Sequence, residues 1–226
     1  MDIKHYYIEK GQGEPLLLLH GNEEDSSYFV HQMEFFSRYY RVIAIDTRGH
    51  GRSPRGTGEF TIRQFADDLH EFMDDMNIAR ANILGFSDGG NIALIFAMKY
   101  PKRVGRLILN GANLDGSGVK WSVQLPIIVG YKIAAVFAKR SRKAREHAEM
   151  LGLMVHDPSI KKEDLAQVKA ETLVIAGTKD MIREEHTRLI AEHIPHAKLA
   201  LLNGDHFVAN KNPEEFNQTV YEFLND

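Results

Sequence analysis

Short runs of consecutive apolar residues alternate along this chain with stretches of helical period. Leu16 to Leu19, Arg41 to Ile45, Ala81 to Phe86, Val104 to Leu109, Thr172 to Ala176 and Ala197 to Leu202 are such runs, and they fit strands buried on both faces. His5 to Ile8 predicts a further short strand. Tyr28 to Ser37 and Glu184 to Ile194 have helical spacing, and Gly89 to Tyr100 reads as a helix that Pro101 ends. Thr61 with Gln64 three residues on makes a capping box, after which Ile62, Phe65, Leu69, Phe72, Met73 and Met76 fall on one helical face. Asn212-Pro213-Glu214-Glu215 opens a last helix with a cap, proline at its first position and an acid in its first turn. Strands alternating with helices predict a mainly parallel sheet covered on both faces.

The alternation fails once, from Gly111 to Ala170, where helical and partly basic sequence takes over. This divides the chain into a core, 1–110 with 171–226, and a helical cap insertion, 111–170. The most apolar part of the insertion, Trp121 to Ala138, is interrupted by Gln124, Pro126, Gly130 and Lys132. It therefore falls short of the roughly 20 apolar residues that span a bilayer, and no stable membrane insertion is expected. Lys139-Arg140-Ser141-Arg142-Lys143 and Arg145 form a local basic run whose ordinary reading is a solvated face.

Ligands of parallel sheets bind beyond the carboxyl ends of the strands, so the residues after each run carry the candidate chemistry. Gly85-Phe86-Ser87-Asp88-Gly89-Gly90 follows the Ala81 to Phe86 run and contains a G-x-S-x-G match. At a sharp strand-to-helix turn the serine is held up and exposed, and the flanking glycines leave room for the turn. A serine hydroxyl needs a base to remove its proton. His206, in the loop Asn203-Gly204-Asp205-His206-Phe207 after the last strand, meets that need. An imidazole in that role needs a carboxylate to fix its tautomer. Asp180 follows the Thr172 to Ala176 strand and gives the chain order Ser, Asp, His; Asp115, after the Val104 to Leu109 strand, is the rival, and Asp205 is expected to point elsewhere. The backbone N–H groups of Asn22, after the Leu16 to Leu19 strand, and of Asp88 are placed to stabilise an oxyanion. The second also lies at a helix N-terminus.

Composition narrows the alternatives. The 226 residues suit one domain, and 43% hydrophobic with 26% charged residues is globular rather than disordered composition. A net charge of −3 gives no overall basic footprint for nucleic acid. With no cysteine there is no disulfide, thiolate nucleophile or zinc-thiolate site. Met1-Asp2-Ile3-Lys4-His5 lacks the apolar run of a secretory signal, so a cytoplasmic location is expected. His186, His193 and His196 cluster around one helix but lack a third ligand in good geometry, and read as surface. No metal or cofactor is expected.

In order and spacing, Leu-Leu-Leu-His20-Gly21, Asp46-Thr47-Arg48-Gly49-His50-Gly51-Arg52-Ser53, Gly85 to Gly90, Ala176 to Asp180 and Gly204 to Phe207 resemble the α/β-hydrolase superfamily. The elbow looks most like the small esterases that include the valacyclovir hydrolase group. The resemblance implies a three-layer fold with a variable cap at 111–170 and a Ser87, Asp180, His206 triad. It also implies acyl transfer from a small-molecule ester to water. Only one strand precedes Leu16 where the family has a hairpin, so a sheet of about seven strands is expected. Glu171 replaces the family's frequent proline. His20, Arg48 and His50 read as structural groups bracing the site. A serine at the elbow excludes the aspartate-nucleophile branches. Carbon-carbon bond hydrolysis, perhydrolysis and slow-turnover signal reception use the same triad and stay open. For substrate contacts the candidates are the Asp88 carboxylate, as partner of an ammonium group or as helix cap, and Trp121. With Leu125, Ile128, Ile133, Val136 and Phe137, Trp121 either lines an acyl pocket or belongs to a core-facing helix.

Overall fold

The computed structural model describes residues 2–226. Seven strands, β1 (Tyr7–Lys10), β2 (Pro15–Leu19), β3 (Arg41–Ile45), β4 (Ala81–Phe86), β5 (Val104–Asn110), β6 (Glu171–Gly177) and β7 (Ala197–Leu202), form one sheet in the order β1-β3-β2-β4-β5-β6-β7. β1 runs antiparallel to β3, and every other neighbouring pair is parallel. β1 begins two residues later than the pattern predicts. The Tyr6 N–H donates to the Ser53 hydroxyl at 2.8 Å, and the His5 ring is buried edge-on against Phe72.

The leucine run of β2 shows how sequence builds the layers. Successive side chains point to opposite faces, so Leu17 and Leu19 enter one core and Leu16 and Leu18 the other. Each fully buried leucine contributes about 1.5–3 kcal/mol of transfer free energy. The first core is closed by α2 (Ile62–Asp75), α3 (Asp88–Lys99) and α6 (Glu184–His193). α1 (Val30–Phe36), α7 (Val208–Lys211) and α8 (Pro213–Asn225) close the second.

Helix starts differ in detail from the pattern. Thr61 caps α2 by accepting the Gln64 N–H at 3.2 Å, while the Gln64 amide donates to Asp68 instead of completing the box. α1 is preceded by a 3₁₀ turn, Ser26–Phe29, capped by Asp25. Pro213 opens α8 as expected, but the Asn212 amide donates to the Asn203 carbonyl and the Glu215 carboxylate rather than capping the helix.

Between β5 and β6 the chain forms α4 (Trp121–Phe137) and α5 (Arg142–His156). α5 holds to the core through Leu153, buried in the first core, and a two-pronged Arg55–Glu149 ion pair. α4 packs on α5: the Gln124 amide donates to the Met154 carbonyl at 3.1 Å, and Tyr131 meets His156 edge-on.

Candidate active site

Strand register aligns the ends that matter: Leu19 pairs with Gly85, Phe86 with Asn110, Asn110 with Ile175, and Gly177 with Leu202. Residues just beyond β2, β4, β5, β6 and β7 therefore converge. Ser87 lies between β4 and α3 with φ +53° and ψ −120°, a left-handed region that a non-glycine residue adopts at a cost. Its N–H donates to the Asn110 carbonyl at 2.8 Å, and its carbonyl accepts the Asn91 N–H at 3.0 Å. A Cβ on Gly85 would stand 2.2 Å from the Gly89 oxygen, and one on Gly89 would stand 2.0 Å from the Leu19 oxygen. The strained turn exists because both neighbours are glycine.

His206 lies 3.0 Å through Nε2 from Ser87 Oγ, and 2.7 Å through Nδ1 from Asp180 Oδ1. With the proton on Nδ1, the imidazole donates to the carboxylate and accepts from the hydroxyl. Asp180 Oδ1 also accepts the Ile182 N–H at 2.9 Å, and both residues are buried, where a charge pair is screened least. The imidazole rests on Gly111, whose Cβ would fall 2.7 Å from the ring. The rival acids are occupied elsewhere. The Asp115 carboxylate accepts the Ser117 N–H at 2.6 Å; Asp205 accepts the Phe207 N–H and pairs with Lys211.

The loop after β2 lies against the serine: a Cβ on Gly21 would stand 3.1 Å from Ser87 Cβ. Asn22 is the next residue. Its side chain donates to the Met150 carbonyl of α5 at 2.8 Å and accepts the Glu23 N–H at 3.0 Å. His20 accepts the Thr47 N–H through Nε2 at 3.0 Å, and burial lowers its pKa. Burial likewise pushes His50 down to about 4, and it packs against Thr47 and the Arg48 carbonyl. The Arg48 guanidinium, 1% exposed, grips Asp68 through two contacts of 2.7 Å. These groups brace the loops, as the sequence predicts.

Three placements lie outside the sequence reading. Glu24 accepts the Gly21 N–H at 3.1 Å, and its Oε2 lies 3.0 Å from the same Gly21 Cβ position that touches Ser87. Burial pushes its carboxyl up to about 7, against the opposing hydrogen bond from the Gly21 N–H. The acid run Glu23-Glu24-Asp25 directly after His20-Gly21-Asn22 is the signal that points to it.

Asp88 is the second. Its carboxylate neither caps α3 nor reaches solvent. It is 8% exposed, accepts from the Asn91 amide at 3.3 Å and leaves Oδ2 without a partner. Asn91 in turn donates to Asn113. Burial first, and the negative charge of Asp157 second, push Asp88 up to about 7.

His186 is the third, and here the surface reading is corrected. It is buried, accepts the Leu114 N–H at 3.0 Å and packs against Gly118, where a Cβ would come within 2.6 Å. The segment after β5 folds over α6 and encloses the ring. His196 is exposed. Trp121 is 67% exposed at the start of α4.

Residues 14–132 match the model of the alpha/beta hydrolase fold family; this is more than half of the chain, and the protein belongs to that family. It is 26% identical to 3-oxoadipate enol-lactonase 2 of Acinetobacter baylyi, over 97% of this chain and 92% of that protein. Identity is also 26% to the serine hydrolase BPHL of Homo sapiens, over 98% of this chain and 83% of that one. The enol-lactonase from Burkholderia xenovorans LB400 is similar in structure, with a TM-score of 0.81 at 25% identity, covering 99% of this chain and 97% of that one. No helix among the described residues is long and apolar enough to cross a membrane.

Proposed function

We propose that the protein is a serine hydrolase that cleaves a small-molecule ester through an acyl-enzyme, with Ser87 as nucleophile, His206 as general base and Asp180 as the carboxylate orienting the imidazole. The observation that carries this reading is the continuous contact from Asp180 Oδ1 through the imidazole to Ser87 Oγ, at 2.7 and 3.0 Å, at a strained turn that presents the hydroxyl.

His206 takes the Ser87 proton as Oγ attacks the ester carbonyl, and Asp180 stabilises the imidazolium. The carbonyl oxygen becomes an oxyanion facing the N–H groups of Asn22 and Asp88; one such donor is worth about 3–4 kcal/mol of barrier. Collapse expels the alcohol, which takes the proton from His206. Water then enters and attacks the acyl carbon while giving a proton to the same nitrogen; collapse breaks the bond to Ser87 Oγ, releases the acid and returns the proton from His206 to Oγ. Lactones, as cyclic esters, fall within this chemistry, and the lactonase relatives support including them. Asp88 is the proposed substrate contact; nothing supports that role for Trp121, which is 67% exposed at the start of α4. Asp88 Oδ2 has no protein partner, which supports a hydrogen bond to a polar substrate group.

The test is reaction with a fluorophosphonate reagent and turnover of a p-nitrophenyl ester series. Wild type labels once, at Ser87, and turns over many times. Ser87→Ala neither labels nor hydrolyses, with rates down by several orders of magnitude. Stoichiometric labelling of the variant would remove Ser87 from this role, and a single slow burst from wild type would mark a receptor rather than an enzyme.

A further inference from the structure

A surface helix normally turns its apolar stripe to the core, and α4 also turns one away. Its inner face, with Gln124 and Ala134 buried, packs on α5. Its outer face carries Trp121, Leu125, Val129, Ile133 and Val136 at spacings of four, four, four and three, and these side chains are 67%, 43%, 48%, 58% and 72% exposed. Phe137 at the helix end is 50% exposed. It borders an apolar groove of about 540 Å³ between α4 and α5, lined also by Ile133, Ala144 and Lys143. Contiguous apolar surface of this kind marks a contact site.

Charge says what the contact is. Between Asp115 and Glu146 the chain has seven lysines and arginines and no acid, although the whole protein carries −3. Lys132, Lys139, Arg140, Lys143 and Arg145 are exposed and make no ion pair among the described residues, whereas Arg142 pairs with Glu146. An apolar stripe holding an indole, bordered by unpaired cations, is the composition of a helix that lies in the interface of an anionic lipid surface. A second copy docked by two-fold symmetry would set one basic cluster near its own image, which like charges oppose.

We propose that the outer face of α4, with the basic turn that follows it, docks the protein peripherally on anionic membranes. The helix lies in the headgroup region and does not span. α5, which touches the loop after β2 through Met150, stays between the lipid surface and the core.

Trp121, the one tryptophan of the chain, reports directly. Vesicles of phosphatidylcholine with about 30% phosphatidylglycerol should shift its emission to the blue and co-sediment the full-length protein. Pure phosphatidylcholine should bind at least about tenfold more weakly, and about 0.5 M salt should release the protein. Lys139→Glu with Lys143→Glu, and separately Ile133→Asp with Val136→Asp, should each weaken binding about tenfold or more. Both variants should keep wild-type circular dichroism and wild-type hydrolysis of a short water-soluble ester. Equal binding to neutral and anionic vesicles, or none to either, overturns the proposal. So does a dimer by light scattering that the Ile133→Asp, Val136→Asp variant dissolves, which would assign the face to a second copy.

Discussion

Asn22 reaches from the loop after β2 to α5, where its side-chain amide donates to the Met150 carbonyl at 2.8 Å. The residue proposed to present an oxyanion-hole N–H is thus tied to α5. Its own Oδ1 accepts the next N–H, that of Glu23, which adopts φ +58°. One side chain therefore holds both the loop's conformation and its distance from α5.

Asn22→Ala removes these two hydrogen bonds and the 3.3 Å contact of Oδ1 with His50 Nε2, and leaves the backbone N–H in a looser loop. A misplaced donor lowers kcat more than it raises KM, because the oxyanion exists only in the transition state. The expected fall in kcat is about ten- to a hundredfold, measured with p-nitrophenyl acetate. An unchanged kcat would show that the loop holds its geometry without the amide.

Asp180→Asn should reduce kcat by several orders of magnitude, since an amide cannot fix the imidazole tautomer. Asp115→Asn should lower it no more than about threefold. Asp115 caps the turn Gly116–Gly118, and a cap contributes about 0.5–2 kcal/mol to stability rather than to the reaction. Steady-state rates on both variants, checked for folding by thermal melts, decide the acid; the reverse ranking would transfer the role to Asp115.

Glu24 supplies a prediction on pH. Its carboxyl, pushed by burial up to about 7, is charged above that pH and neutral below it, so the charge beside the imidazole changes within the working range. Ionised Glu24 favours the protonated, inactive base. Removing that charge in Glu24→Gln should move the acid limb of the kcat/KM profile to lower pH, with the plateau rate kept within about threefold. Superimposable profiles would mean that the carboxyl does not act on the base.

The parts of this molecule that local pattern encodes are legible in its sequence. Leu16 to Leu19 reads as a central strand because period two needs only neighbours, and Thr61 to Met76 reads as a helix because one face repeats. Ser87, Asp180 and His206 are legible because each stands just past a strand, and parallel register brings those ends together. The environments of Glu24, Asp88 and His186 are not legible. Asp88 is enclosed by Asn113, 25 residues away in sequence and reached through Asn91, and His186 by Leu114, at a separation of 72. Burial produced by loops crossing at such distances leaves no periodic trace. The outward apolar stripe of α4 is half legible: the period is visible, but which face meets α5 depends on where α5 lies.

Asp88 gives the last prediction, and its sign follows from linkage. The carboxyl rises from 3.8 in an open environment to about 7 in the folded protein. Between those values the folded state keeps a proton that the unfolded chain has released. Stability is therefore fully present below about pH 4, declines as pH rises toward 7, and stays reduced above it. The charged form has one hydrogen bond, from the Asn91 amide, and an Oδ2 with no partner. Asp88→Asn keeps the Oδ1 acceptor and removes the charge at every pH. The variant should match wild type near pH 4 and exceed it at pH 8 to 9 by on the order of 1–4 kcal/mol, several degrees in Tm for a chain of this size. If Asp88 contacts the substrate as proposed, the same titration should change substrate choice. If the carboxylate attracts a cationic group, wild type should prefer a quaternary-ammonium ester, whose charge does not change with pH, over its uncharged isostere more at pH 8 than at pH 6, and Asp88→Asn should lose that dependence. A pH-independent difference in Tm would show that Asp88 does not titrate in this range. A substrate ratio equal in both proteins at both pH values would confine the side chain to the Asn91 and Asn113 cluster, with its backbone N–H alone serving the reaction.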